Sequence, residues 1–144
     1  MEFSAFNEII DRLRNNNKAM FGLSGDSIAT EKELVKVENH YKIKLSKDYR
    51  NFLQTYGGGY FGYTIVYSCD SSSRFYLINN VGVDWINMYH FLPIIDLETG
   101  DLAGYRITDQ KCEDYISVFC HDNNSIIDYN LDLFDYILKQ GLNN

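Results

Sequence analysis

The chain has 144 residues, 45% of them hydrophobic and 23% charged, and carries a net charge of −7 at neutral pH. That length suits one domain burying roughly 70% of the surface its unfolded form exposes, and no apolar run approaches the ~20 residues that a membrane-spanning helix needs. The three cysteines contain no Cys-x-x-Cys pair, which argues against a disulfide framework or zinc cage; with no basic and apolar leader at the start, the expected compartment is the cytoplasm.

Phe3, Phe6, Ile9, Ile10 and Leu13 recur at helical spacing, and Asn15–Asn17 closes that helix. A loop through Gly22, Ser24 and Gly25 follows. Thr30 and Glu33 form a capping box, each satisfying an orphan donor of the helix start. Leu34, Val37 and Tyr41 then mark the buried face of a second helix. Ser46 caps a third, with Asp48 in its positive first turn and Tyr49, Phe52, Leu53 and Tyr56 on one face. Gly57–Gly59 supply the left-handed geometry that ends it.

From Tyr60 to Tyr67 the residues alternate between two faces, the period of a strand. Asp70–Ser73 reads as a loop, Phe75–Ile78 as a short strand, and Gly82–His90 as ambiguous, with a helical turn around Trp85 as one reading. Phe91–Asp96 and Leu102–Ile107 are strands around the turn Glu98–Asp101, and Pro93 predicts that the first of them begins there or lies at an edge. Tyr115–Cys120 is a further strand, Asp122–Asn124 a turn, and Ile126–Tyr129 continues the sheet. Asn130 caps a closing helix with Leu131, Phe134, Ile137 and Leu138 inward, which Gly141 stops. Helices, then strands, then one helix predict an α+β fold: a single domain with the N-terminal helices and one C-terminal helix packed on one side of a largely antiparallel sheet.

Several of these residues carry a resemblance. Leu45, Tyr49, Phe52, Leu53, Gly57 and Gly58 match the Leu-Pro-x-x-Tyr-x-x-Phe-Leu…Asn-Gly-Gly pattern of the SUKH superfamily, the Smi/Knr-type domain, with Ser46 in place of Pro and Tyr56 in place of Asn. Leu92-Pro93-Ile94, the glycine-containing hairpin and the final Asn130–Phe134 segment extend the likeness over residues 28–140. The resemblance implies a SUKH-like fold and, in its bacterial immunity-protein branch, binding to a cognate polymorphic or contact-dependent toxin, often a nuclease. Fungal members imply the alternative, a non-catalytic regulatory or scaffolding module. The absence of long extensions in this sequence disfavours it.

Signatures of chemistry are weak. Gly57-x-Gly59-x-x-Gly62 has the spacing of a dinucleotide fingerprint, but helix precedes and strand follows, the reverse of the order that aims N–H groups at a pyrophosphate. Asp96-x-Glu98-x-Gly100-Asp101 has its glycine one place early for a calcium loop and lacks the closing glutamate. His121-Asp122 is an isolated pair better read as a surface turn than as a hydrolase or zinc site. No catalytic residue, metal ligand or cofactor is expected.

Charge is lopsided: residues 1–50 sum to +1 and residues 51–144 to −8. The clustered Lys and Arg that phosphate binding requires are missing, so nucleic acid is disfavoured as a partner and a basic protein surface favoured. The candidate partner-binding carboxylates are Asp70, Asp84, Glu98, Asp101, Asp109, Glu113 and Asp114. Twelve tyrosines and one tryptophan are the other resource. Tyr60 and Trp85 are the candidate anchors, with Tyr63 and Tyr105 also considered, because aromatic rings attract Lys and Arg. The expected function is occlusion of a basic toxin, which the resemblance implies to be a nuclease domain, by a monomer or weak homo-oligomer that touches neither membrane nor nucleic acid.

Overall fold

The computed structural model describes residues 1–142. Helix α1 runs over Phe3–Asn16 and α2 over Glu31–Tyr41, joined through a 3-10 turn at Lys18–Phe21. The capping box forms as expected: the Thr30 side chain accepts from the Glu33 N–H, and Glu33 accepts from the Thr30 N–H. Helix α3, Lys47–Tyr56, starts at Ser46, whose hydroxyl accepts from the Tyr49 N–H, and stops at Gly57 with φ of 82°. A Cβ at Gly57 would fall 2.2 Å from the Asp26 carbonyl oxygen, so both conformation and space demand glycine.

The alternating run after Gly59 is not one strand. It is a tight hairpin, β1 over Gly59–Phe61 and β2 over Thr64–Val66, because Gly62 takes φ of 58° and turns the chain with Tyr63. The short strand expected at Phe75–Ile78 is also absent; helix α4 covers Leu77–Asn80 instead. Its end is held by the Tyr41 hydroxyl, which donates to the Leu77 and Val81 carbonyls at 3.1 and 2.8 Å. Helix α5 spans Val83–Tyr89 and resolves the ambiguous segment.

Four longer strands follow: β3 Phe91–Asp96, β4 Leu102–Thr108, β5 Lys111–Cys120 and β6 Ser125–Leu131. Pro93 neither opens β3 nor marks a sheet edge; it sits within the strand at a register shift, where a missing N–H costs little. Because β6 runs through Leu131, the closing helix α6, Leu133–Tyr136, is capped by Asp132 rather than Asn130, the Asp132 carboxylate accepting from the Asp135 N–H at 2.9 Å. A π turn at Ile137–Gly141 finishes it.

The six strands form one antiparallel meander in the order β1-β2-β3-β4-β5-β6. The helices supply Phe6, Leu34, Val37, Phe52 and Phe134 to one core with Leu92, Tyr105, Ile116 and Val118 from the sheet. Neighbouring strand residues point to opposite faces, so Phe91 and Phe119 lie on the other face, where Trp85 and Tyr89 of α5 cover them with ring centroids 4.8–6.4 Å apart. The helices are therefore not all on one side.

Candidate partner-binding surface

In an antiparallel meander every second turn falls at the same end of the sheet. Here the β1–β2 turn (62–63), the β3–β4 turn (97–101) and the β5–β6 turn (121–124) share one end. With strands spaced ~4.8 Å, the row of tips is about 24 Å long.

The tips are tied together by side chains. Asp96 accepts from the Glu98 N–H at 2.8 Å, which supports the left-handed Glu98 at φ of 61°. Asp101 accepts from the His121 N–H at 3.0 Å, and its Oδ1 lies 2.6 Å from His121 Nδ1. His121 Nε2 lies 3.3 Å from Asp122 Oδ1. Gly100 leaves room for the imidazole: a Cβ there would sit 2.8 Å from His121 Cε1. The hydrogen bond from the His121 backbone, then that from its ring, holds the Asp101 carboxyl below its ordinary value. Reciprocally, the Asp101 hydrogen bond raises the His121 pKa above 6.5.

Asp96, Glu98, Asp101 and Asp122 thus line one end, and the three turns contain no Lys or Arg. Tyr63, 63% exposed, stands at the β1–β2 tip. Such an end can attract and hold a cationic surface; its histidine lies in the open, half exposed, rather than in a cavity. Among the described residues no group of three or more His, Cys, Asp or Glu is placed to hold a metal ion.

The other carboxylates singled out in the sequence lie elsewhere. Asp109, Glu113 and Asp114 are at the opposite end, about 20 Å away along β4, where the β4–β5 turn pairs with the 42–45 segment through Lys44 N–H to Gln110 O and Cys112 N–H to Lys44 O at 2.8 and 2.9 Å. Lys42, Lys44 and Lys111 line the shallow grooves there, so the local charge is mixed. Asp70 organises its own loop, accepting from the Ser72 N–H and hydroxyl and the Ser27 N–H at 3.0, 2.7 and 3.2 Å, which lowers its pKa. Asp84 is exposed in the first turn of α5. The seven carboxylates do not form one surface; Glu98 and Asp101 are brought together, with Asp96 and Asp122 beside them.

Of the aromatics, Tyr60 is half-buried on β1 and accepts a hydrogen bond from Arg74. Trp85 is half-buried in the cluster under α5. Tyr105 is fully buried and is no anchor. Asp96 and Asp122 are not among the carboxylates singled out from the sequence, because chain order does not show which turns share an end of the sheet. Assigning the meander first would have placed alternate turns, and their charges, at one end.

The family model described as SUKH_6, SMI1-KNR4 cell-wall, matches residues 31–137. The chain belongs to this SUKH family. The match takes in α2 through α6 and all three turns at the acidic end, while α1 and the 3-10 turn lie outside it. The SUKH family is known for immunity proteins against polymorphic toxins, which are generally non-catalytic. No curated protein and no solved structure matches the chain. Among the described residues of this SUKH protein, no helix is long and apolar enough to cross a membrane.

Proposed function

We propose that this protein is an immunity protein that binds a cognate toxin domain with a basic surface, a nuclease being the best fit, and blocks it by occlusion in the cytoplasm. The observation that carries the reading is the row of turns bearing Asp96, Glu98, Asp101 and Asp122 without a Lys or Arg, on a chain of the SUKH family. A cationic substrate groove is the surface that such an end complements, since carboxylates at this spacing stand in for substrate phosphates and steer encounter. Tyr63 at the end of the row offers an amphipathic ring to Lys or Arg. A standard interface takes about 800 Å² per partner, roughly 30 Å across, and so spans the row.

Asp109, Glu113 and Asp114 fall outside that footprint, as do Asp70 and Asp84. Trp85 supports α5 from beneath, and Tyr60 borders the footprint on the β1 side. Growth rescue is the test. A candidate toxin domain with a basic surface, sought in the reading frames next to the gene, is expressed with and without this protein. The reading predicts rescue by the wild type and weaker rescue by Glu98→Gln/Asp122→Asn. A wild-type chain that gives no protection contradicts it.

A further inference from the structure

Beside the acidic row, across the β1–β2 turn, lies a groove of opposite character. It encloses about 480 Å³ between Arg14, Lys18, Leu23, Asp26, Tyr60 and Phe61. The Arg14 guanidinium is gripped by three rings, its Cζ lying 5.2 Å from the Phe21 and Tyr56 centroids and 5.8 Å from that of Phe61. Behind Tyr60, outside the lining, Arg74 stacks on Phe75 at 4.7 Å and on Tyr60 at 5.5 Å. Arg50 and Arg106 pair with carboxylates; among the described residues Arg14, Lys18 and Arg74 have none within 4.0 Å. A guanidinium held by stacking keeps its N–H fork available and loses little freedom on binding an anion. Leu23 at the rim is 61% exposed, adding apolar surface beside the charge. Asp26, the one carboxylate in the lining, has its Oδ2 buried and without a hydrogen-bond partner among the described residues.

We propose that this groove is a second recognition point that takes a carboxylate side chain flanked by an aliphatic residue on the protein partner. The proposal rests on the toxin-binding reading, and gives that partner a basic surface with an acidic projection at its margin. A single carboxylate suits the site better than a polyphosphate chain, because a net charge of −7 repels an extended polyanion. The β1–β2 turn joins the two regions: a Cβ at Gly62 would lie 3.6 Å from Phe21 in the groove, and Tyr63 beside it is a tip of the row. Adjacent patches of opposite sign fix the orientation of a partner, since a half-turn brings like charges together. Arg14 and Lys18 precede the family-matched segment, whereas Tyr56, Tyr60 and Phe61 of the same groove lie within it.

The test uses the full chain and a capped Glu-Leu dipeptide, followed by heteronuclear NMR. The expected result is shifts at Gly25, Tyr60, Phe61 and the Arg14 side chain, with affinity falling about tenfold for Lys18→Ala and for the Gln-Leu analogue, the loss of one charge-assisted hydrogen bond. Lys18 is exposed, so its replacement keeps the test valid even where Arg14→Ala fails to fold. No shifts at about 10 mM peptide, equal shifts with the glutamine analogue, or shifts centred on Lys42, Lys44 and Lys111 would each overturn the proposal. No toxin enters this measurement, so its failure leaves the acidic-row reading standing, and a failed growth rescue leaves the groove result standing.

Discussion

At the scale of single residues, the molecule spends its polar groups on junctions. His121 ties the β5–β6 turn to the β3–β4 turn through Asp101, and the consequence is a defined pH response. With the folded His121 pKa raised, its contribution to stability is full below 6.5 and fades as pH rises through the folded value. Asp101, with its pKa lowered, contributes fully above 3.8 and fades as pH falls below that. The pair therefore works best between those limits. Titrating His121 by NMR should give a pKa above 6.5 in the wild type and a return toward it in Asp101→Asn. Tyr41 is the buried counterpart: its hydroxyl donates to two carbonyls at α4, and burial pushes its pKa well up, which keeps it a neutral donor at any physiological pH. Tyr41→Phe should cost about 1–2 kcal/mol in denaturant unfolding, since the Val81 carbonyl loses its bond from the hydroxyl while the Leu77 carbonyl keeps only the one from the Val81 N–H.

At the scale of elements, what was legible in the sequence was local. The Thr30–Glu33 box, the Ser46 cap and the Gly57 stop are each written within four residues of the feature they set, and each forms. The strands from Phe91 onward were legible from the turns that bound them, although β5 begins at Lys111, ahead of the expected Tyr115, and register shifts interrupt the pairing of β3, β4 and β5. The misreadings had tertiary causes. Alternation through Tyr60–Tyr67 survives a two-residue hairpin, so the period alone could not reveal the turn at Gly62. Phe75–Ile78 becomes the approach to α4 because Tyr41, 36 residues away, bonds its carbonyl. Asn130 lost its capping role when β6 extended past it against β5. Two glycines make the distinction between geometry and composition measurable. Gly57→Ala should destabilise by several kcal/mol or abolish folding, since a Cβ meets backbone at 2.2 Å; Gly82→Ala, with nothing within 4 Å of the new carbon, should change stability by less than about 1 kcal/mol in the same unfolding assay.

At the scale of the whole molecule, linear charge and spatial charge are different quantities. The sequence locates negative charge in the second half of the chain; the meander then deals it alternately to two ends. One end receives Asp96, Glu98, Asp101 and Asp122 with His121 and no Lys or Arg in its turns, the other receives Asp109, Glu113 and Asp114 together with Lys42, Lys44 and Lys111. Only that sorting distinguishes a steering surface from an ordinary solvated one. The decisive measurement is the association rate with a toxin domain that this protein neutralises in the growth assay, as ionic strength is varied, for the wild type and for one neutralised variant of each end. Glu98→Gln/Asp122→Asn should slow association at low salt by about tenfold and flatten its salt dependence. Asp109→Asn/Glu113→Gln should associate as the wild type does. Equal rates for wild type and the first variant, or slowing confined to the second, would contradict the account.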